Sequence, residues 1–506
     1  MTDWLLLAAL GIRALAPRAL GAYTRLVLTL VAVGVGALGL VLDGPRLQLV
    51  PAYALAALFL AQLGWELRTP HGSPRSWPRR LAGFTGVAGA LGLVLLSVLL
   101  CRVFPRFELP APSGTHAIGT EELWLVDAKR LEGYTAEPDD ARELRVRITY
   151  PADAASGLPR DTVRGTASIA LVGALTLGWP AAADLAPLSW GPIPTHALRS
   201  APVAAAQPRY PVLIFSHGLA SSPGQNTTLI EELASHGYVV MAIQHGGLSA
   251  DSQRADGSLL GTGAALRQLF APLSEEQSRK MRELFEELGQ VASVDARIDV
   301  LRRQAEVRPE LTQALNAMHA LASQDQRFVL DQLERLQASD PILAGHLDLD
   351  RIGVFGMSLG GTASTMTCAF DRRCRAGLNL DGFHQVLLDL PPLQVPFLLM
   401  SAERHLNHEI PHEQSLATSY VARIAGTVHL SFTDLGLAMP VLSRRGNSVG
   451  SIAPQRITQL TREYARAFFD QSLRGMREPL LDGPSAAYPE VTLLIRNASQ
   501  QSPGGH

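Results

Sequence analysis

Lysine is almost missing from this chain. Of 44 basic residues only Lys129 and Lys280 are lysines, which leaves 42 arginines. Among so much Ala and Leu, that bias reads as the codon usage of a GC-rich genome and not as a binding patch. Net charge is −2, so nothing points to a nucleic-acid partner. Cysteine is equally scarce. Cys101, Cys368 and Cys374 are the full set, too few for a zinc pattern or a disulfide framework. Cys368 and Cys374 are near enough in sequence to bridge, but two reduced core thiols fit as well, since distance in space decides. Internal repeats and low-complexity tracts are also missing. The 506 residues leave room for about three to four domains of roughly 150 residues, or for one large domain with additions.

What the chain has in excess is apolar sequence, unevenly placed. Segments 26–42, 47–65 and 81–101 carry no charge. Each reaches the ~17–20 residues that a bilayer core requires, and none shows the polar stripe of an amphipathic helix. The opening "WLLLAALGIRAL" is interrupted by Arg13 and preceded by nothing basic, so it is not a cleaved signal peptide; it reads as an interfacial helix. Residues 1–104 are therefore expected to form an anchor of about three transmembrane helices, with the lipid bilayer as partner. Arg13, Arg18 and Arg25 precede the first span and Arg68, Arg75, Arg79 and Arg80 lie between the second and third, against Arg46 alone between the first and second. Arginine-rich loops stay in the cytoplasm, which puts everything after Cys101 on the periplasmic or extracellular side. Arg102 and Arg106 run slightly against this.

Residues 105–122 hold prolines, glycines and polar residues and read as a linker. "ELRVRITYPA" alternates as a half-buried strand does. The apolar, proline-broken stretch 167–198 is not a fourth span; it reads as a packed loop or as a flap near a site. "YPVLIF", "NTTLIEELASHG" and "YVVMAIQH" form a strand, helix, strand unit of a parallel sheet. From about 260 to 337 the chain turns charged and helical, with a capping box at Ser274 and Gln277. "RIGVF", "AGLNL", "VPFLLMSA" and "VARIAGTV" supply further strands, and "APQRITQLTREYARAFFDQSLRG" a closing amphipathic helix ending at Gly475. Residues 491–506 read as a tail.

Between a buried strand and a helix stands "GMSLGG", Gly356 to Gly361. Gly-x-Ser-x-Gly in that context is a nucleophile elbow. Gly356 and Gly360 let strand and helix pass, and the Ser358 hydroxyl stands clear at a helix N-terminus that favours an oxyanion. A serine needs a base, and the base a carboxylate. In this chain order the acid follows the serine and the histidine follows the acid. His429, late and just past a strand, is the best-placed base, and His384 is a weaker one. His405, His408 and His412 cluster in a polar loop and read as solvated residues before metal ligands. Asp381 and Glu403 each end a strand, and spacing alone does not separate them. Asp434 falls too late.

Together "FSHGLASSPGQNTTLIEELASHGYVV", "GMSLGG", "AGLNLDGF" and "IAGTVHLSFTDL" resemble the plasma and intracellular type II platelet-activating-factor acetylhydrolases and their bacterial relatives. "LWLVDAKRLEGYTAEPDDARELRVRITYPA" resembles their entry segment. The likeness runs from about 120 to 490 and is poor around 260–320. It implies an α/β-hydrolase fold, a mostly parallel sheet with helices on both faces, over 123–490. It implies Asp381 as acid, with Glu403 a neighbour, His429 as base, and the backbone N–H groups of Leu219 and Leu359 as oxyanion donors. Met357 stands where the family usually has histidine, outside the triad. The implied activity is hydrolysis of short or oxidised acyl esters of phospholipids without metal or organic cofactor. A general short-chain carboxylesterase or polyester-type hydrolase is the alternative, and an inactive hydrolase-fold binding protein a more distant one.

Overall fold

A computed structural model describes residues 2–15, 22–43, 46–68, 77–103, 108–135, 137, 139–153, 158–164, 192–250, 252–260, 272–382, 388–402, 409–438 and 450–498. The chain divides into two compact units, residues 1–108 with 188–193, and the remainder.

Among the described residues the first unit holds the α-helices α1 (Thr2–Leu15), α2 (Ala22–Asp43), α3 (Val50–Arg68) and α4 (Trp77–Val103). One of them is long and apolar enough to cross a membrane, over Tyr23–Val41, and only 17% of that window is buried within the protein. The other two apolar stretches, Val50–Trp65 and Gly86–Arg102, are shorter. Of the spans expected at 26–42, 47–65 and 81–101, the first is thus the single candidate among the described residues; the side chains of 81–85, within the third, lie outside them. The opening segment is not a free interfacial helix. Leu6, Leu7 and Leu10 of α1 are buried in a cluster with Ala32, Leu55, Phe59 and Ala90. Arg13 donates to Thr29 Oγ1 (2.9 Å) and lies over the Phe59 ring, so its charge is turned into the unit.

In the second unit, strands β1 (Ala117–Leu131), β2 (Ala141–Ala152), β3 (Arg160–Arg164), β4 (Pro192–Arg199), β5 (Tyr210–Ser216), β6 (Val239–Gln244), β9 (Leu347–Met357), β10 (Ala376–Leu380), β11 (Phe397–Ala402), β12 (Ser419–Ile424) and β13 (Val491–Arg496) form one sheet. Its order is β13-β12-β11-β10-β9-β5-β6-β2-β1-β4-β3, with β7 (Ser252–Gln253) and β8 (Leu259–Leu260) as a separate ribbon. The middle, β6 to β12, is parallel. β5, β6, β10 and β11 are buried at every position, as their unbroken apolar runs require when both faces are covered. β2 alternates and pairs antiparallel with β1 and β6.

Helices α5 (Thr227–Ser235), α6 (Glu275–Leu288), α7 (Val294–Val307), α8 (Pro309–Ser339), α9 (Leu359–Phe370), α10 (Glu409–Gln414), α11 (Leu435–Ala438) and α12 (Pro454–Arg474) complete the unit. α6 starts with the expected capping box, Ser274 Oγ accepting from Gln277 N. α12 ends where Gly475 turns left-handed (φ 68°). Two boundaries differ from the sequence reading. Val491–Arg496 is no tail but an edge strand antiparallel to β12; its burial does not alternate, so pairing alone marks it as a strand. The linker 105–122 already enters β1 at Ala117, and Pro110 and Ala111 accept from Arg462 of α12. Of the stretch 167–198, β4 is described and 165–191 lies outside the described residues. Cys368 and Cys374, left open by sequence, form a disulfide with Cα atoms 5.1 Å apart.

Candidate active site

Parallel strands present their functional loops at one edge, beyond their carboxyl ends. Here those loops follow β5, β9, β10 and β12. After β9 the chain reverses into α9 through Ser358, whose φ of 55° and ψ of −120° are costly for a residue with a side chain. The turn leaves no room beside it. A Cβ at Gly356 would lie 2.4 Å from the Gly360 carbonyl carbon, and one at Gly360 only 2.0 Å from Ser216 O. The glycines are therefore required by the close approach of the neighbouring backbone.

Asp381 follows β10 with φ 52° and is fully buried. Its Oδ1 accepts from Ala402 N (2.8 Å) and its Oδ2 faces His429 Nδ1 at 2.7 Å. His429 opens a single 3₁₀ turn beyond β12. Its Nε2 lies 2.9 Å from Ser358 Oγ. Oxygen, imidazole and carboxylate thus form one hydrogen-bonded line although 71 and 48 residues separate their members. Glu403, His384, His405 and His408 lie outside the described residues. His412 is turned away, bonded through Nδ1 to Ser419 Oγ (2.9 Å).

Two backbone N–H groups, those of Leu219 and Leu359, belong to the segments that follow β5 and β9. Leu359 is the first residue of α9, so its N–H has no partner within the helix. Leu219 lies beyond β5 in a loop that holds Ala220 at φ 56°. Among the described residues neither N–H has a protein acceptor. The Leu219 and Leu359 side chains pack with Tyr134, Leu248, Met318 and Ala322, so the helical insertion, through α8, supplies an apolar wall. Met357 is buried, its Sδ 3.4 Å from Gln225 Nε2.

Several partners escaped the sequence reading. Gln225 Oε1 accepts from Gly218 N (2.8 Å), and Gln225 O accepts from Asp434 N (3.0 Å), which ties the His429 loop to the Leu219 loop. Asp434 accepts from the Thr228 N–H and hydroxyl at the start of α5. Burial pushes its carboxyl up to about 6 despite those donors and Arg462. Beneath the elbow His245 and Asp325 are also fully buried. "SHG" was a visible signal for a loop; nothing local marks Asp325, one acid within a charged helix.

Acid should weaken this unit. Burial holds His217 down to about 3, with the neighbouring His245 adding to it, and burial holds His319 and His412 down to about 4. Unfolded histidines take up protons below about 6.5, so between about pH 6.5 and 4 the unfolded chain binds more protons than the folded one. Stability is then lost as pH falls, by up to about 1.4 kcal/mol per pH unit for each histidine. Asp434 acts oppositely: its contribution is present below about 4 and fades as pH rises through about 6. Three groups outweigh one. The melting temperature is expected to fall steadily from pH 6.5 to 4, and a flat profile would contradict this burial.

A model of the family described as platelet-activating factor acetylhydrolase, isoform II, matches residues 102–479. Similar proteins include the platelet-activating factor acetylhydrolase of Cavia porcellus, 26% identical over 295 residues (56% of this chain, 58% of that one). That of Canis lupus familiaris is 28% identical over 253 residues (48% and 52%). A probable 1-alkyl-2-acetylglycerophosphocholine esterase of Arthroderma benhamiae is 30% identical over 167 residues (28% and 43%). The chain thus spans about half the length of the relatives it matches. Among solved structures, a ferulic acid esterase from Streptomyces cinnamoneus superposes with a TM-score of 0.53 at 27% identity, covering 77% of this chain and 99% of that one.

Proposed function

From the premise that the chain belongs to the platelet-activating factor acetylhydrolase isoform II family, we propose that it is a serine esterase acting on short or oxidatively truncated acyl esters of phospholipids. The observation that carries this reading is the line Ser358 Oγ, His429 Nε2, His429 Nδ1, Asp381 Oδ2, with contacts of 2.9 and 2.7 Å. Ser358 Oγ attacks the acyl carbonyl as its proton passes to His429 Nε2. Asp381, accepting from Nδ1–H, holds the tautomer and stabilises the imidazolium. The carbonyl oxygen, now negative, takes the free N–H groups of Leu219 and Leu359. His429 returns its proton to the leaving alcohol, then draws one from the water that releases the acyl group. No step calls for a metal or organic cofactor. The wall of Leu248, Met318 and Ala322 beside the donors favours a short acyl chain.

The Tyr23–Val41 helix supports attachment to a bilayer, and taken with the two further spans expected at 47–65 and 81–101 the arginine distribution favours a unit held on the extracytoplasmic side of a bacterial inner membrane. The Cys368–Cys374 disulfide agrees with an oxidising compartment. The likeness to a ferulic acid esterase favours, as a second reading, a general carboxylesterase without phospholipid preference.

A hydrolysis panel on detergent-solubilised protein separates the two. Cleavage of 2-acetyl and truncated phospholipids is expected, falling steeply for long acyl chains. Turnover of nitrophenyl esters alone would remove the phospholipid reading. Intact cells should cleave a membrane-impermeant ester as fast as permeabilised cells; a need for permeabilisation would put the unit inside.

A further inference from the structure

Below the elbow lies a second serine–histidine–aspartate chain, which reaches no solvent. His245 Nδ1 is 2.9 Å from Asp325 Oδ2 and its Nε2 is 2.9 Å from Ser216 Oγ. All three residues are fully buried. Gln326 Nε2 donates to Ser216 Oγ (2.8 Å) and to Ser364 Oγ (2.9 Å), and Ser364 Oγ donates to Gly360 O (2.8 Å). The start of α9, and with it Leu359 N–H, is registered against this chain. So is the other donor loop. The His245 backbone N–H donates to His217 Nε2 (3.3 Å), which leaves the ring proton on Nδ1. His217 Nδ1 then donates to Gly218 O (2.7 Å), a carbonyl that also accepts from Ser221 N (3.1 Å).

The consequence follows from peptide geometry. In a trans peptide C=O and N–H point in opposite directions. A Gly218 carbonyl drawn inward to His217 turns the Leu219 N–H outward. Gly218 sits directly on the nucleophile, since a Cβ there would lie 3.2 Å from Ser358 Cβ, so outward here means toward the reacting carbonyl.

We propose that His217 is a positioning residue: held in its Nδ1–H tautomer by the buried Ser216–His245–Asp325 frame, it sets the Gly218–Leu219 peptide plane so that Leu219 N–H faces the oxyanion. This rests on Leu219 being an oxyanion donor. Burial keeps the ring neutral, down to about 3, so its donor pattern does not change across the working pH range.

The test compares His217→Leu with His217→Asn, whose amide N–H2 stands as far from the backbone as Nδ1 does. Losing one complete oxyanion donor costs about 10²–10³ in kcat. With Ser221 N still holding Gly218 O, His217→Leu is expected to lose on the order of 10- to 100-fold in kcat with KM little changed, and His217→Asn to recover most of it. Wild-type kcat in His217→Leu, or equal loss in both, would overturn the proposal. Should His217→Leu fail to fold, the wild-type ring decides. Its ¹⁵N shifts must report protonated Nδ1 and bare Nε2 from pH 5 to 9, and the opposite tautomer or a titration would overturn it. Ser358→Ala is the separating control. If that variant stays active, the esterase assignment fails, whatever His217 does.

Discussion

Ser358→Ala is expected to lower kcat by on the order of 10⁴- to 10⁶-fold with KM nearly unchanged. The hydroxyl is the atom that forms the acyl bond, and it is the group His429 Nε2 faces at 2.9 Å. The residual rate would come from the two backbone donors and from binding. His429→Ala should cost about as much, and the double variant little more, because nucleophile and base act as one unit. Asp381→Asn should lose about 10⁴-fold through the wrong histidine tautomer. Initial rates on a 2-acetyl phospholipid, together with fluorophosphonate labelling, check the series. Labelling that persists in Ser358→Ala would sink the assignment of the nucleophile.

The second large effect is on stability. Asp325→Ala is expected to destabilise the unit by about 3–5 kcal/mol. Asp325 accepts from Arg142 Nε (2.7 Å) and Nη2 (2.6 Å) and from Arg130 Nη1 (2.8 Å), besides its contact with His245. Burial alone would raise its carboxyl, yet the charge and hydrogen bonds of Arg142, with His245, hold it well below the usual range. Arg142 is itself 1% exposed and, among the described residues, keeps Glu132 and Gly246 O as hydrogen-bond partners once Asp325 is gone. A buried guanidinium short of one counter-charge is the cost, and truncating one partner exposes it fully. Thermal melts should fall by on the order of 10 °C. Replacing Arg142 and Asp325 together by Met and Leu should recover part of the loss. An unchanged melting temperature in Asp325→Ala would mean that the pair does not carry the charge balance assigned to it.

Local chemistry decided much of this protein before any folding. A strand that must be buried on both faces shows as an unbroken apolar run, so β5, β6, β10 and β11 were readable. A turn that admits no Cβ needs glycine, so Gly356 and Gly360 marked Ser358. Helix ends written as Ser274 with Gln277, or as Gly475, depend on neighbours a few residues away. The family resemblance added Asp381 over Glu403, which spacing could not.

Apolar content alone did not show that α1 packs into the first unit, because composition registers hydrophobicity and not which helix faces meet. β13 and the start of β1 were missed since pairing partners, not local sequence, make them strands. Only the tertiary structure could bring His429 Nε2 to Ser358 Oγ, pair Cys368 with Cys374, and set Asp325 of α8 against Arg142 of β2. Those contacts join residues far apart along the chain, or depend on the spacing of two backbones, and their energies come from burial and from distances of a few ångströms. A sequence carries the donors and acceptors; which of them meet is set by the packing of the sheet and its helices.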